Sequence, residues 1–175
     1  MKEWIKDIII AIVIAIVVVQ FIKPTIVKES SMEPNFYAND YLFVSKQSYT
    51  FSEPKQGDVV VFHSELKQDN GDEKLLIKRV IGLPGDTIDI KDDKVYINGV
   101  ELAEDYTKDG YTTGEVEGLV VPEGKVFCMG DNRRVSIDSR YPEVGCVEID
   151  EIIGKVVLRV WPFSEFGLIK NPYDK

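Results

Sequence analysis

Twelve consecutive aliphatic residues, Ile8 to Val19, constrain this chain more than any other feature. A helix written IIIAIVIAIVVV has no polar face to turn toward water. The run extends to Ile22 across Gln20, and back to Trp4 if Lys6 and Asp7 reach the headgroup region. That makes it about 15 to 19 residues long, against the roughly 17 to 25 that a membrane span uses. The expectation is a short cytoplasmic N-terminus over residues 1–7 and a transmembrane anchor over residues 8–22. A cleaved leader would start the same way, but the chain continues QFIKPTIV without a small-x-small cleavage site, so an uncleaved signal anchor is expected. Lys2 and Lys6 precede the span while Lys23 and Lys28 follow it, which gives little positive-inside bias. From Pro24 onward the chain holds 28 acidic and 18 basic residues, and the domain over residues 23–175, which adds only Lys23 to these, is expected outside the cytoplasm.

The chain of 175 residues has room for one medium domain besides the anchor. Its net charge of −9 repels phosphates, and no Lys/Arg stripe offsets that, so nucleic acid is excluded as a partner. Cys128 and Cys146 lack the CxxC spacing of a zinc or thioredoxin-type site, and their spacing leaves free thiols and a disulfide both open. No metal and no cofactor is expected. His63 is the sole histidine and follows GDVVVF, a strand pattern, which reads as an end-of-strand residue without a special partner. Any Ser-His-Asp or Cys-His chemistry would have to run through it.

Beyond the anchor the sequence consists of short β-type runs: DYLFVSK, GDVVVFH, LLIKRVIGL, DTIDIKDDKVYING, GKVFCMG and IIGKVVLRVW. Gly, Pro, Asn or Asp punctuates nearly all of them, so the fold class is mainly β. TIDIKDDKVYING reads as a hairpin turning near Asp92 and Asp93. Residues 101–118 are polar and rich in Gly and Thr, suggesting a loop or lid. WPFSEFGLI, residues 161–169, is open between an apolar lip at a membrane interface and a final core strand.

Two adjacent serines, Ser30 and Ser31, stand in the turn-like stretch VKESSMEPN just past the anchor. A serine nucleophile needs a proton acceptor, which can be a lysine if burial lowers its proton affinity. Most lysines here lie in polar runs. In LLIKRVIGLPGD, strand alternation puts Leu76, Lys78 and Val80 on one face and Ile77, Arg79 and Ile81 on the other, which makes Lys78 a candidate neutral amine. A lysine in such a strand can also snorkel or pair. Arg79 stays charged and cannot act as a base. In MGDNRRVSIDSR, residues 129–140, an extended backbone would aim Ser136, Asp138 and Arg140 the same way, Ser136 toward an amine and the other two paired behind it.

Taken in order after a single anchor, SMEP (residues 31–34), GDVVVF (57–62), KRVIGLPGD (78–86), MGDNRRVSIDSR (129–140) and IIGK (152–155) resemble the bacterial type I signal peptidases, membrane-bound serine proteases with a Ser-Lys dyad. The likeness covers nearly the whole chain. It implies that Ser31, not Ser30, is the nucleophile and Lys78 the general base, with Ser136 orienting the lysine and Asp138 and Arg140 buttressing the site. It further implies a β-rich catalytic fold on the extracytoplasmic face of a bacterial cell membrane, in contact with lipid. The substrates would be signal peptides of secretory preproteins with small residues at the first and third positions before the cut, and Val27, Met32, Phe36, Leu76 and Ile77 would line shallow apolar pockets for them.

Two departures from the family pattern stand out. Glu29 occupies the position two before the nucleophile, where Gly or Ser is usual, and it is expected to point to solvent. Asn35 replaces the usual Thr after the proline. The segment over residues 87–121 is short, which predicts a small inserted cap reduced to a hairpin and loop. The expected function is signal-peptide cleavage; the alternative is a catalytically silent membrane-tethered binding protein on the same fold.

Overall fold

The computed structural model describes residues 2–68 and 71–174; for residues 2, 3 and 13–19 it describes the backbone alone. Helix α1, Lys2–Phe21, leads directly into the first of twelve strands. These are β1 (Ile22–Ile26), β2 (Tyr41–Ser45), β3 (Val59–Lys67), β4 (Glu73–Gly82), β5 (Thr87–Lys91), β6 (Lys94–Ile97), β7 (Val100–Glu101), β8 (Val116–Val120), β9 (Lys125–Met129), β10 (Val147–Glu148), β11 (Ile152–Trp161) and β12 (Gly167–Leu168). The mainly β expectation holds. Among the described residues no helix is long and apolar enough to cross a membrane. More than half of the aliphatic run, residues 13–19, lies outside the described side chains. Its described members Ile8, Ile9, Ile10 and Ile12 are all exposed.

An eight-stranded antiparallel sheet runs in the order β1-β2-β11-β3-β4-β9-β10, with β12 added on β11. The continuous apolar run GDVVVF becomes a central strand covered on both sides. Val59 and Val61 join a cluster with Val27, Met32, Phe36 and Val156, while Val60 and Phe62 join Leu76, Val80, Val126 and Cys128. Side chains alternate across a strand, so only a strand buried on both faces can be apolar throughout. Asp58, at the start of β3, is buried and bonded to Lys155 of β11 at 2.6 Å, which gives the GD and IIGK motifs one shared role.

The segment expected as a hairpin and loop is a four-stranded sheet, ordered β7-β6-β5-β8. The hairpin β5–β6 turns at Asp92 and Asp93, whose φ angles of 51° and 60° give the left-handed pair that a two-residue turn needs. The additions are the two-residue β7 and β8, in which Val116 and Leu119 pack against the core three residues apart while Gly118 interrupts the alternation between them. Ile88, Ile90 and Val95 of this sheet pack on Ile81, Phe127 and Met129 of the large one. The terminal WPFSEFGLI divides between its two readings. Ile169 packs against the core, whereas Trp161, Phe163, Phe166 and Leu168 are exposed.

His63 lies within β3, exposed, with Nδ1 3.6 Å from Glu73. Cys128 and Cys146 are free, the first buried and the second half-buried.

Gly154 lies where β11 packs tightly against the Ser45 carbonyl of β2. A methyl group there would overlap the Ser45 carbonyl oxygen, come within 2.8 Å of its carbon and stand 3.0 Å from Val44. Backbone cannot yield as a flexible side chain can. Gly154→Ala is therefore expected to lower the unfolding free energy by about 1 to 3 kcal/mol, read by chemical denaturation of the full chain in detergent.

Candidate active site

Ser31 begins a tight turn fixed from both ends. Phe36 N–H donates to Met32 O at 2.9 Å, and Met32 and Phe36 are both sunk in the core. From the far side, Asn132 N–H donates to Ser31 O at 3.0 Å and its side-chain amide to Ser30 O at 3.1 Å. Ser31 is consequently held at the floor of a groove with only 8 % of its surface exposed.

Lys78 lies in the middle of β4 and is 1 % exposed. It shares a face with Leu76 and Val80, as strand alternation predicts. Its Nζ lies 2.8 Å from Ser31 Oγ and 3.1 Å from Ile77 O, so residues 47 apart in sequence meet side chain to side chain. Burial is the largest influence on this amine and pushes its pKa down from 10.5 to about 8; Asp138 and Glu29 oppose that, while Lys74 adds to it. At neutral pH an accessible fraction of Lys78 is uncharged, whereas an ordinary lysine holds its proton far more tightly.

The loop after β9 forms the rear wall. It folds as successive turns instead of the extended segment expected, with Ser136 N–H donating to Asn132 O at 3.1 Å. Asp138 is fully buried and takes Arg140 Nε at 2.8 Å and Nη2 at 2.9 Å, along with the Gly130 N–H at 2.9 Å. Arg140 in turn donates to the carbonyls of Thr113 and Arg133, at 2.7 and 2.8 Å. Ser136 Oγ, expected to hold the lysine, is buried without a hydrogen-bond partner among the described residues. It sits over Gly130, where a Cβ would overlap Ser136 Oγ and crowd the Ser31 carbonyl.

A groove of about 720 Å³ opens in front of Ser31 and Lys78. Val27, Met32, Leu76 and Ile77 line it, as expected. Phe36 does not: it faces the core on the other side of the turn, with the Arg159 guanidinium 4.9 Å from its ring centre. One wall is β1, an edge strand pairing only with β2, together with the chain that follows it. The other is residues 74–78 of β4, which pair with β3 alone because β9 joins only from Arg79 onward. Two unpaired strand edges thus flank the groove. Glu29 is exposed as expected, and its carboxylate is paired with Lys74 across the groove.

Residues to which sequence reading gave no part in the site hold these parts in register. Arg79, on the opposite face of β4 from Lys78, makes a bidentate pair with buried Asp131, at 2.8 and 2.7 Å, and lies 4.3 Å from the Tyr106 ring centre. Asn35 donates to Asp131 at 2.8 Å and to Tyr106 O at 2.7 Å, so the serine turn is tied to the same pair. Arg133 donates to Gly130 O at 2.9 Å and pairs with Glu104. The KR and GDNR strings offered a signal, since an arginine between aliphatic strand positions needs a buried acceptor.

The family profile described as "Signal peptidase, peptidase S26" matches residues 1–161. Signal peptidase I of Bacillus licheniformis is 39% identical over 175 residues, covering 93% of this chain and 90% of that protein. Signal peptidase IB of Staphylococcus aureus (strain MRSA252) is 39% identical over 188 residues, covering 97% and 94%. A crystal structure of a signal peptidase I from Enterococcus faecalis V583 aligns with a TM-score of 0.48 at 36% identity, over 59% of this chain and 97% of that one. By the extent of the profile match and of these relatives, this chain belongs to the signal peptidase family, peptidase S26, and is a serine endopeptidase.

Proposed function

We propose that this chain is a membrane-bound endopeptidase that cleaves N-terminal signal peptides from secretory preproteins, with Ser31 as nucleophile and neutral Lys78 as general base. The observation that carries this reading is the 2.8 Å contact between Ser31 Oγ and a lysine amine removed from solvent. Nucleophile and base must lie within hydrogen-bond reach, and the base must be able to lose its proton at the working pH. Lys78 takes the Ser31 proton as Oγ attacks the scissile carbonyl, then passes a proton to the leaving amine. It next activates the water that hydrolyses the acyl-enzyme. The Ser31 N–H, which donates to no other group among the described residues, is free to meet the developing oxyanion.

The substrate binds as an extended strand between the two unpaired edges of the groove, using main-chain hydrogen bonds for affinity. Alternate side chains of such a strand point toward the Ser31 floor. Val27, Met32, Leu76 and Ile77 leave shallow apolar room there, which favours small residues at the first and third positions before the cut. Ser136, Asp138 and Arg140 serve as the rear support of Lys78.

Helix α1 anchors the enzyme in a bacterial cell membrane, residues 8–21 spanning it and the β domain, which begins with Ile22 in β1, lying on the extracytoplasmic side. Its exposed isoleucines and the aliphatic run in the sequence support that placement. The exposed Trp161, Phe163, Phe166 and Leu168 would sit at the interface, where aromatic side chains are favoured.

Cleavage of a preprotein with Ala at both specificity positions, in detergent or vesicles, tests the assignment. Ser31→Ala and Lys78→Ala should each reduce kcat/KM by on the order of a thousandfold or more. Full activity in both variants would end the reading, and inactivity of the wild type on several preproteins would favour the silent binding protein. For the wild type, log kcat/KM should rise with unit slope below a midpoint near pH 8, where Lys78 loses its proton.

Stability gives an independent check. The folded chain binds the Lys78 proton more weakly than the unfolded chain does, so this group makes stability rise with pH between about 8 and 10.5 and penalises the fold below that window. Lys78→Met should therefore abolish cleavage yet raise the melting temperature at pH 7.

A further inference from the structure

Glu29 and Lys74 meet in an ion pair that crosses the groove beside Ser31 and Lys78. Glu29 stands two residues before Ser31 on one wall. Lys74 stands four residues before Lys78 on β4, and strand alternation gives the two lysines the same face. Both partners keep contact with water, their side chains being 48% and 30% exposed, so neither is needed to fill the core. The groove lining is basic, with Lys23, Lys28, Lys67 and Lys74 beside Lys78, although the chain as a whole carries −9. Among the described lining residues Glu29 is the one carboxylate.

We propose that Glu29 and Lys74 are positioning residues for the Ser31–Lys78 pair, forming a charge-balanced strap that ties the nucleophile's turn to the base's strand across the groove. This inference rests on the reading of Lys78 as the proton acceptor. A carboxylate near an amine favours its ammonium form and a second ammonium disfavours it, so the two partners act on Lys78 with opposite signs. The other groups facing Lys78 are fixed. Asp138, from the loop after β9, is held by Arg140, and Cys128, from β9, stays a neutral thiol because burial pushes its pKa well up. Glu29, on the serine turn, and Lys74, on β4 itself, are the exposed and adjustable members of the set. With its carboxylate engaged by Lys74, Glu29 directs its charge across the groove instead of toward the oxyanion position.

The test is a ¹³Cε-lysine NMR titration of the full chain in detergent micelles, with Lys78→Ala identifying the Lys78 signal. Glu29→Gln leaves Lys74 unopposed and should move the Lys78 midpoint down by roughly half a pH unit, a size suited to partly exposed charges. Lys74→Met should move it up by a similar amount, the double variant should fall between them, and Glu29→Asp should stay near wild type. Coincident midpoints in all variants, or shifts of the opposite sign, would overturn the strap. Cleavage assays on the same samples separate the two levels. A wild type that cleaves with its acid limb near pH 8 while all five midpoints coincide refutes the strap alone. Ordered midpoint shifts in a chain that never cleaves support the strap and refute the peptidase.

Discussion

The desolvated amine of Lys78 is the constraint around which this molecule is arranged. An ammonium on a flexible four-carbon stem normally finds water, and keeping one out of water demands rigid surroundings on every side. Here the stem leaves the middle of β4 between Leu76 and Val80, where β3 is paired on one side and β9 closes the other immediately afterwards. Its Nζ finds Ser31 Oγ and the Ile77 carbonyl at hydrogen-bond distance, with buried Asp138 as the strongest charge favouring its ammonium form. A site that solvated the amine fully would restore its ordinary proton affinity and leave almost none of it unprotonated, hence unable to accept a proton, at neutral pH.

Holding a serine against such an amine is the harder half, because the serine sits on a turn and not on a strand. Three buried or nearly buried arginines solve it with acceptors in other segments. Arg79 joins β4 to Asp131, and through Asn35 to the serine turn; Arg133 joins the loop after β9 to Glu104; Arg140 joins the same loop to Thr113. Arginine suits this work because its planar fork makes two directed bonds to one carboxylate and has donors left for carbonyls. Each pair would be expensive if either partner were missing, so the pairs specify one arrangement of loops. Residues 104–113, polar and without a strand of their own, are thereby part of the site's frame. That explains why a stretch resembling a loose lid in sequence is tied down in three dimensions.

What was legible in the sequence follows from which interactions leave a periodic trace. The β domain, the alternating face of β4 and the turn at Asp92 and Asp93 depend on nearest neighbours along the strand, and each was readable from short local runs. The union of Ser31 with Lys78 is a long-range contact with no local signature, and it entered through resemblance in motif order. Three features stayed hidden for physical reasons. Strand β8 packs Val116 and Leu119 on the core three residues apart, with Gly118 between, so it lacks the period-two apolar rhythm of a strand. Phe36 looked available as a pocket residue, but the turn after Pro34 directs it into the core. The pairing of Arg79 with Asp131 crosses 52 residues and depends on a register that no short window contains.

The two unpaired strand edges pose a problem of their own. An open edge beside a strand of aliphatic residues invites pairing with any extended chain, which is a liability unless the protein limits access. This fold limits it by placement and by charge. Residues 74–78 of β4 are exposed to a partner only within the groove, and β1 carries Pro24, which removes one donor from its edge. Lysines along the groove then disfavour the close approach of another edge bearing like charge, while the Glu29–Lys74 pair spans the opening itself. A chain that entered between the two edges would have to pass that pair, so in the proposed reading affinity comes from main-chain pairing and selectivity from the room left beside Ser31. The same open edges that would endanger a purely structural sheet are, in the proposed reading, what lets this one take up a substrate strand through its main chain.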